Sequence, residues 1–311
     1  MKTFHHSVLS DEVISSLSIH SDDVVVDATV GGAGHFARMG KMLGENGTVI
    51  GIDADGSALQ RAREYLPDIR AHTLLVQDNF RNLSDILDKN GISHIDKSLF
   101  DLGWSGFQLS VQRGFSFQET EPLLMTYDEH ATYTAAHMVN SSTEEELVDI
   151  LRTYGEERFA RSIARSITHQ RKIAKILTTA DLVEAVLGGT PGWYHKRKIH
   201  PATKTFQAFR IAINDELNAL REGITSAMSY TRAGGIIAVI TFHSIEDRIV
   251  KNVFRDAVYE GRGVLVTRKP IVPSAEELSA NRRARSAKLR VFAMGSRATM
   301  KNPSATQYTY A

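Results

Sequence analysis

The sequence contains 311 residues, 42% of them hydrophobic, so it can bury the core of one large domain or two smaller ones. It has no cysteine, which excludes disulfides, thiolate metal sites and cysteine nucleophiles. A start that does not resemble a signal and the lack of any run of about eighteen apolar residues predict a cytoplasmic protein with no membrane segment.

The first predicted elements have the order strand, glycine turn, helix, strand, carboxylate. The β-branched run 24–28 predicts a buried parallel strand. The turn after it contains Gly31, Gly32 and Gly34, which let backbone amides approach a ligand closely. Asp53 ends the second strand, 22 residues after Gly31, where a carboxylate can accept hydrogen bonds from ribose hydroxyls. This order predicts a site for a nucleoside-bearing cofactor.

The spacing of the glycines indicates which cofactor binds. Dinucleotide folds present G-x-G-x-x-G, whereas this turn is Gly31-Gly-Ala-Gly-His35, an incomplete fingerprint. Asp27 precedes the turn, where an anion repels a pyrophosphate and suits a cationic sulfonium ligand with an α-amino group. The residues therefore predict S-adenosylmethionine, held by Asp27, the glycine turn and Asp53. An NAD-dependent oxidoreductase is the less favoured alternative.

The rest of the chain predicts an interrupted α/β sheet. The elements that follow are a helix at 57–66, strands at 72–78 and 97–102, helices within 143–187, one long helix at 203–228 and a strand at 234–242. The economical arrangement is an open sheet with a helical insertion between its fourth and fifth strands. We predict a discontinuous sheet domain, 1–108 with 206–311, an inserted helical domain, 109–205, and a disordered tail after Gly295.

The carboxyl end of the fourth strand is where an open α/β sheet places its chemistry. There the sequence is Asp101-Leu-Gly-Trp104, an acid, two turn residues and an aromatic, as in methyltransferases that act on exocyclic amines. A carboxylate that holds an N–H of the amine favours its nucleophilic form, and an aromatic ring can stack on the base. Asp101 and Trp104 are therefore candidate catalytic residues. The alternative is a loop cap and a core side chain.

His243 is a third catalytic candidate because it directly follows the predicted strand at 234–242. Ser244 and Asp247 form a helix-start capping pattern, so we expect these two residues to be structural. For His243 itself, contact with the acceptor base and a structural role are equally open.

Charge is distributed unevenly along the chain. Residues 1–108 contain 9 Lys and Arg against 15 Asp and Glu, 109–205 contain 12 against 12, and 206–311 contain 16 against 9. The densest basic clusters consist of Lys196, Arg197 and Lys198, and of Arg282, Arg283, Arg285, Lys288 and Arg290. Because such clusters can neutralise RNA phosphates, we predict that they bind RNA. The alternative is a solvated surface with scattered ion pairs.

Eleven motifs occur in order between about residue 4 and residue 292. They are His6-Ser-Val-Leu, Asp27-Ala-Thr-Val-Gly-Gly-Ala-Gly-His35, Asp101-Leu-Gly, Gln108-Leu, Arg113-Gly-Phe-Ser-Phe117, Tyr154-Gly-Glu-Glu-Arg158, His200-Pro-Ala-Thr, Phe206-Gln-Ala-Phe-Arg-Ile211, Asn214-Asp-Glu-Leu217, Phe242-His-Ser-Ile-Glu-Asp-Arg248 and Arg283-Ala-Arg-Ser-Ala-Lys-Leu-Arg290. Together they resemble the RsmH (MraW) family of 16S rRNA (cytosine-N4)-methyltransferases, over essentially the whole chain.

The resemblance implies a Rossmann-like S-adenosylmethionine-dependent methyltransferase sheet with an inserted helical domain that recognises the substrate. It implies methylation at N4 of a decoding-centre cytidine in 16S rRNA of the small ribosomal subunit. The cofactor positions that it carries over are Ala33, Gly34, His35, Asp53, Phe80, Asp101 and Gln108. By sequence alone, Phe80 suits the adenine face and the core equally. No metal such as zinc is implied, because methyl transfer needs no hydrolytic nucleophile. A homodimer is left open.

The chain departs from the family pattern in two stretches. After the Asp-Leu-Gly motif the family continues with a small aliphatic residue and two serines, whereas this chain has Trp104-Ser-Gly106. The family segment G-P-L-D-M-R-M-D is Glu121-Pro-Leu-Leu-Met-Thr-Tyr-Asp128 here. This chain thus has Leu124 in place of the family's acid, Thr126 in place of its arginine and Tyr127 in place of a methionine. We interpret the joint loss of the acid and the arginine as a removed ion pair. The departures predict altered substrate choice or turnover. A catalytically weakened rRNA-binding protein that keeps the cofactor pocket is the alternative function.

Overall fold

The chain forms two compact units. The computed structural model describes residues 7–102, 112–128 and 131–295. The sheet unit comprises 1–104 and 217–311, and the helical unit comprises 105–216. The helical unit is therefore inserted into the chain of the sheet unit.

The sheet unit contains a seven-stranded sheet. The strands are β1 Val24–Asp27, β2 Thr48–Asp53, β3 His72–Gln77, β4 Ile95–Asp101, β5 Thr231–Thr241, β6 Gly263–Leu265 and β7 Lys288–Met294. Their order across the sheet is β3-β2-β1-β4-β5-β7-β6. Neighbouring strands are parallel from β3 to β5, whereas β7 is antiparallel to β5 and β6. The order reverses between β1 and β4, so a ligand is expected at their carboxyl ends.

The register of the central strands brings three carboxylates to one edge. Asp27 at the end of β1 lies opposite Gly51 on one side and Leu99 on the other. Strands β2 and β4 therefore continue two residues further, to Asp53 and Asp101. Strands β1 and β2 are mostly apolar and buried on both faces, as expected for parallel strands covered by helices.

Helices of the described ranges make up most of the remaining structure. They are α1 Ser10–Leu17, α2 Gly34–Met42, α3 Gly56–Arg63, α4 Leu83–Lys89, α5 Ala135–Ser141, α6 Glu144–Thr153, α7 Ala160–Ile173, α8 Thr179–Gly188, α9 Gly192–His195, α10 Thr203–Asn214, α11 Glu216–Tyr230, α12 Ser244–Tyr259 and α13 Ala275–Ala280. Short 3₁₀ helices occur at Leu66–Asp68, Phe80–Asn82 and Arg282–Ser286. None of these helices combines the length and apolar character needed to cross a membrane.

Helix α2 packs directly on the strand backbone at Gly51. A Cβ at this position would lie 2.9 Å from Cε2 of Phe36 in α2 and 2.8 Å from Cδ2 of Leu75 in β3. The absence of a side chain lets the helix approach the sheet closely, which fixes where the turn between β1 and α2 lies.

The helical unit has its own apolar core. Buried side chains from α6, α7 and α10 meet there, among them Leu151, Ile163 and Phe209. Two of its helices begin with capping boxes, α6 at Thr143 and α8 at Thr178, because each threonine accepts from the third helical N–H. An independent core lets the insertion fold as a unit.

Two predictions about elements need correction. The predicted single helix at 203–228 is two helices, because Asp215 takes a left-handed φ of 49° and ends α10. Apolar spacing continues on both sides of this residue, so periodicity did not reveal the break. Strands β6 and β7 were not predicted. The tail after Gly295 lies outside the described residues.

Candidate active site

Asp27 is the central and most buried of the three strand-end carboxyls, at 1% exposure. Its Oδ1 accepts a hydrogen bond from the backbone N–H of Thr29 at 3.2 Å, while Oδ2 has no partner among the described residues. Burial, with smaller contributions from the charges of Asp101 and Asp53, raises the pKa of Asp27 to about 8. A buried carboxyl with an unused oxygen suits a cationic group.

The turn between β1 and α2 is held by both neighbouring strands. The N–H of Ala28 donates to β4 at 2.9 Å, and the N–H of Val30 donates to β2 at 3.2 Å. Gly31 and Ala33 have φ of 52° and 61°. Left-handed backbone is uncommon for a residue with a Cβ and concentrates at functional sites. Helix α2 begins directly after Ala33, so the N-terminus of this helix lies at this edge.

Asp53 and Arg61 both form hydrogen bonds with the backbone of Gly31. Asp53 Oδ2 accepts from the N–H of Gly31 at 2.8 Å, and Oδ1 accepts from the N–H of Asp55 at 2.9 Å. The Nε and Nη2 atoms of Arg61 donate to the carbonyl oxygen of Gly31 at 3.1 and 3.0 Å. Each carboxylate oxygen keeps a second acceptor site, so Asp53 can still bind a sugar hydroxyl. Burial, partly offset by hydrogen bonds from Asp55 and Gly31, raises the pKa of Asp53 to about 6.

Asp101 is a partly accessible carboxyl, since its side chain is 20% exposed. Its backbone N–H donates to Oγ1 of Thr29 at 2.7 Å. Its Oδ2 lies 3.5 Å from Nε2 of His35, a buried side chain in the first turn of α2. This contact and the Thr29 hydrogen bond connect the end of β4 to the glycine turn. A partly exposed carboxylate therefore lies at this edge of the sheet.

Sequence reasoning missed two residues that shape the site. Thr29 was named only as part of a motif, although a hydroxyl residue placed between an acid and a glycine turn could have indicated a role in the site. Arg61 lies within α3, and no local pattern distinguishes it from an ordinary surface arginine.

Phe80 begins the 3₁₀ helix after β3 and is half-buried. Its ring meets Phe100 edge-on at 5.6 Å, and a Cβ on Gly223 would lie 2.7 Å from its Cδ2. Phe80 therefore packs within the sheet unit, and its contact with adenine stays a prediction. Trp104, Gly106 and Gln108 lie outside the described residues.

The described residues fit the predicted cofactor. Three carboxyls share one sheet edge, one of them with an unsatisfied buried oxygen, and this arrangement favours a ligand with positive charge. It disfavours the pyrophosphate of a dinucleotide. The acceptors of Asp53 remain suitable for a ribose diol.

Comparison with known proteins decides the family. The model of the MraW methylase family matches residues 2–294. The chain belongs to the MraW methylase family. It is 44% identical over 306 residues to ribosomal RNA small subunit methyltransferase H of Brevibacillus brevis, covering 93% of this chain and 98% of that protein. The protein with the same description from Persephonella marina is 45% identical over 287 residues, covering 92% and 98%. That from Clostridioides difficile is 42% identical over 305 residues, covering 93% and 98%. The family resemblance inferred from the motifs is confirmed.

In this MraW methylase His243 is the N-cap of α12. Its Nδ1 accepts from the N–H of Glu246 at 3.3 Å, and the Oε2 of Glu246 accepts from the N–H groups of Phe242 and His243 at 2.8 and 3.3 Å. The Nε2 of His243 lies 2.9 Å from Glu246 Oε1. The capping pair is thus His243 with Glu246, which corrects the predicted pair Ser244 and Asp247. This geometry accounts for His243 without a catalytic role.

The C-terminal basic cluster of the methylase divides into two parts. Arg282, Arg283 and Arg285 are exposed on a short 3₁₀ helix anchored by the buried Ala284. Their exposure is compatible with phosphate binding.

Arg290 and Lys288 need a correction because both contact Asp247. Arg290 is buried in β7, and its Nε donates to Asp247 Oδ1 at 2.7 Å. Lys288 Nζ lies 3.2 Å from Asp247 Oδ2. Burial alone would raise the pKa of Asp247, but the hydrogen bonds from Arg290 and Lys288 outweigh it and lower the pKa. Arg290 is therefore a structural residue that joins β7 to α12, and Lys288 is partly committed to the same pair.

The other basic cluster and the divergent segment lie in the helical unit. Lys196, Arg197 and Lys198 are exposed immediately after α9. Thr126 is buried, and the backbone N–H of Tyr127 donates to Asn214 Oδ1 at 2.9 Å. Thr126 thus places a neutral side chain at a buried position.

Proposed function

We propose that this protein is an S-adenosylmethionine-dependent methyltransferase that acts in the cytoplasm on N4 of a decoding-centre cytidine in 16S rRNA of the small ribosomal subunit. The observation that carries the proposal is the carboxyl cluster at the ends of β1, β2 and β4, with Asp101 as its accessible member. The relatives named above, which are small-subunit rRNA methyltransferases by description, support RNA as the substrate.

S-adenosylmethionine, when bound, supplies an electrophilic methyl group. Asp53 accepts hydrogen bonds from the ribose hydroxyls, and Asp27 offsets positive charge at the sulfonium end of the site. The other residues proposed to hold it are Gly31, Ala33, Gly34, His35, Phe80 and Gln108.

Asp101 acts on the acceptor amine. The lone pair of an exocyclic amine is delocalised into the ring, so N4 is a weak nucleophile. A carboxylate that accepts one N4–H favours a pyramidal nitrogen, whose lone pair forms the new N–C bond while the C–S electron pair returns to sulfur. One N4 proton then leaves to Asp101 or to solvent. Trp104 is proposed to stack on the base.

The helical unit is proposed as the domain that recognises the substrate. Its exposed residues Lys196, Arg197 and Lys198 supply contacts to phosphates, and Arg282, Arg283 and Arg285 of the sheet unit supply others. Such contacts position the enzyme on RNA without reading its sequence.

The proposal is tested by incubating the protein with unmodified small subunits and S-adenosylmethionine labelled in its methyl group, and then mapping the label. We expect one modified decoding-centre cytidine, methylated at N4. If the protein bound small subunits and also bound the cofactor but transferred no methyl group, the result would instead support a catalytically weakened RNA-binding protein. The departures at Leu124 and Thr126 favour this alternative.

Replacing Asp53 by alanine is expected to weaken S-adenosylhomocysteine binding by about 10- to 150-fold, because charge-assisted hydrogen bonds worth about 1.5–3 kcal/mol are lost. Isothermal titration calorimetry measures the affinity, and circular dichroism verifies folding. The matched control is Asp22→Ala, which removes an exposed acid two residues before β1, at the opposite edge of the sheet. Equal affinities for wild type and Asp53→Ala would remove Asp53 from the site. NADH should bind neither protein appreciably.

Neutralising Arg282, Arg283 and Arg285 together is expected to reduce the slope of log K against log salt for small-subunit binding by about two to three units. The methylated nucleotide should not change, because phosphate contacts carry no sequence information. Filter binding at several salt concentrations measures the slope. The charge-matched control neutralises the exposed residues Arg63, Arg70 and Lys89. An unaltered slope in the arginine variant would show that these arginines are solvated surface.

A further inference from the structure

An aromatic side chain is exposed beside the basic cluster of the helical unit. Trp193 lies on the short helix α9 and is 53% exposed. Covering an exposed aromatic ring is favourable, so this ring offers a surface that a partner can bury. Lys196, Arg197 and Lys198 follow within five residues and are also exposed.

A rigid base supports the Trp193 ring. Phe159 contacts Trp193 with ring centres 5.8 Å apart, and Tyr194 contacts both rings at 5.7 and 4.9 Å. Tyr194 donates its hydroxyl to Oε2 of the buried Glu157 at 2.9 Å, and Oε1 of Glu157 accepts from the N–H of Phe159 at 2.8 Å. Burial and the bond to Glu157 raise the pKa of Tyr194 to about 12, so this hydroxyl stays protonated and donating. The cluster is therefore fixed before any partner binds.

Two guanidinium groups lie close to the aromatic cluster. The guanidinium carbon of Arg158 lies 5.4 Å from the centre of the Trp193 ring and 5.0 Å from that of Phe159. Arg197 lies over Tyr194 at 5.3 Å. The acid within the cluster, Glu157, is buried and bonded to Tyr194. A planar ring with cations at its border matches a base with its flanking phosphates.

We propose that Trp193 and Arg158 form a stacking platform for one unpaired RNA base, with Lys196 and Lys198 contacting the adjacent phosphates. This inference rests on the proposed function, since it gives the helical unit a specific substrate element: single-stranded RNA rather than duplex. Bases within a duplex hide their faces, whereas a loop or an end exposes them to stacking. The platform selects unpaired RNA without selecting sequence, because every base has a π-face.

The test compares binding of an eight-nucleotide oligocytidine and of a blunt RNA duplex by the full-length protein. Trp193→Ala is expected to raise Kd for the oligocytidine by about 5- to 150-fold, the range for loss of one stacked base, and to change Kd for the duplex less than about twofold. Trp193→Phe should retain most of the affinity. A Lys196→Gln, Lys198→Gln double variant should lower the salt slope for both probes. An unchanged Kd for oligocytidine in Trp193→Ala, or equal losses for both probes, would overturn the platform.

Fluorescence gives a second measurement that needs no change at Trp193. The chain has two tryptophans, so Trp104→Phe leaves Trp193 as the reporter, and stacking of cytosine should quench its emission. Emission that stays constant as oligocytidine saturates the protein would contradict the proposal. Methylation of small subunits is measured separately with wild type. Quenching without methylation would reject the proposed function alone, and methylation without quenching would reject the platform alone.

Discussion

An Asp101→Ala variant is expected to lose about 100- to 1000-fold in the single-turnover rate of methyl transfer, the usual consequence of removing one group that stabilises developing charge. The carboxylate is partly exposed at the end of β4, and the backbone N–H of Asp101 donates to Oγ1 of Thr29, which fixes the backbone there. Its interaction with the amine strengthens as nitrogen gains positive charge, so the rate should fall far more than RNA affinity.

The matched variant for this prediction is Asp101→Asn. An amide keeps an oxygen that can accept the N4–H but cannot balance the developing charge, so its rate should lie between those of wild type and Asp101→Ala. Rapid-quench measurements with saturating cofactor and small subunits give the rate, and calorimetry gives cofactor affinity. A near-normal rate for Asp101→Ala would end the proposed role of Asp101.

The affinity for S-adenosylmethionine is expected to rise about 10- to 50-fold between pH 6 and pH 8, because Asp27 must lose its proton to offset a cation and its pKa is about 8. Below this pKa, lowering the pH by one unit weakens binding of S-adenosylmethionine by at most a factor of about ten. The change should be smaller for S-adenosylhomocysteine, which lacks the sulfonium charge. An Asp27→Asn variant should bind weakly and with little dependence on pH.

In the protein without ligand, loss of the proton from Asp27 is expected to lower the stability of the folded state. A carboxyl whose pKa is raised by folding stabilises the folded state in its protonated form, below the ordinary pKa of 3.8, and this stabilisation is lost as pH rises through about 8. Asp27→Asn should therefore melt at least as high as wild type at pH 8.5.

Calorimetry in two buffers of different ionisation enthalpy should detect proton release when wild type binds S-adenosylmethionine near pH 7. Identical pH profiles for wild type and Asp27→Asn would show that Asp27 does not face the cofactor.

The carboxyl cluster could be predicted because its cause is local. An acid that ends a β-branched run lies at the carboxyl end of a parallel strand, and parallel strands place those ends at one edge of the sheet. Asp27 and Asp53 satisfy this rule, Asp101 ends a strand of mixed composition, and the register shows that the three ends adjoin. The glycine turn was found for the same reason, since its backbone conformation depends on residues adjacent in sequence.

Contacts between distant residues were not predictable in this way. Arg290 belongs to a run of basic residues in sequence, yet it pairs with Asp247, 43 residues earlier, because β7 lies beside β5 and near α12. Likewise Arg61 reaches the carbonyl of Gly31, 30 residues away. Charge clusters predict a solvated surface or a phosphate site equally well until the fold shows which of their members have partners.

The sequence by itself determined the strand-end carboxylates, the glycine turn and the family, because these depend on short-range spacing and on ordered motifs. Tertiary structure decided which groups are buried together. Burial raises the pKa of Asp27, commits Arg290 to Asp247 and builds a fixed aromatic base under Trp193. These properties depend on the local dielectric and on partners that folding brings from distant parts of the chain, and neither is encoded in a residue's immediate neighbours.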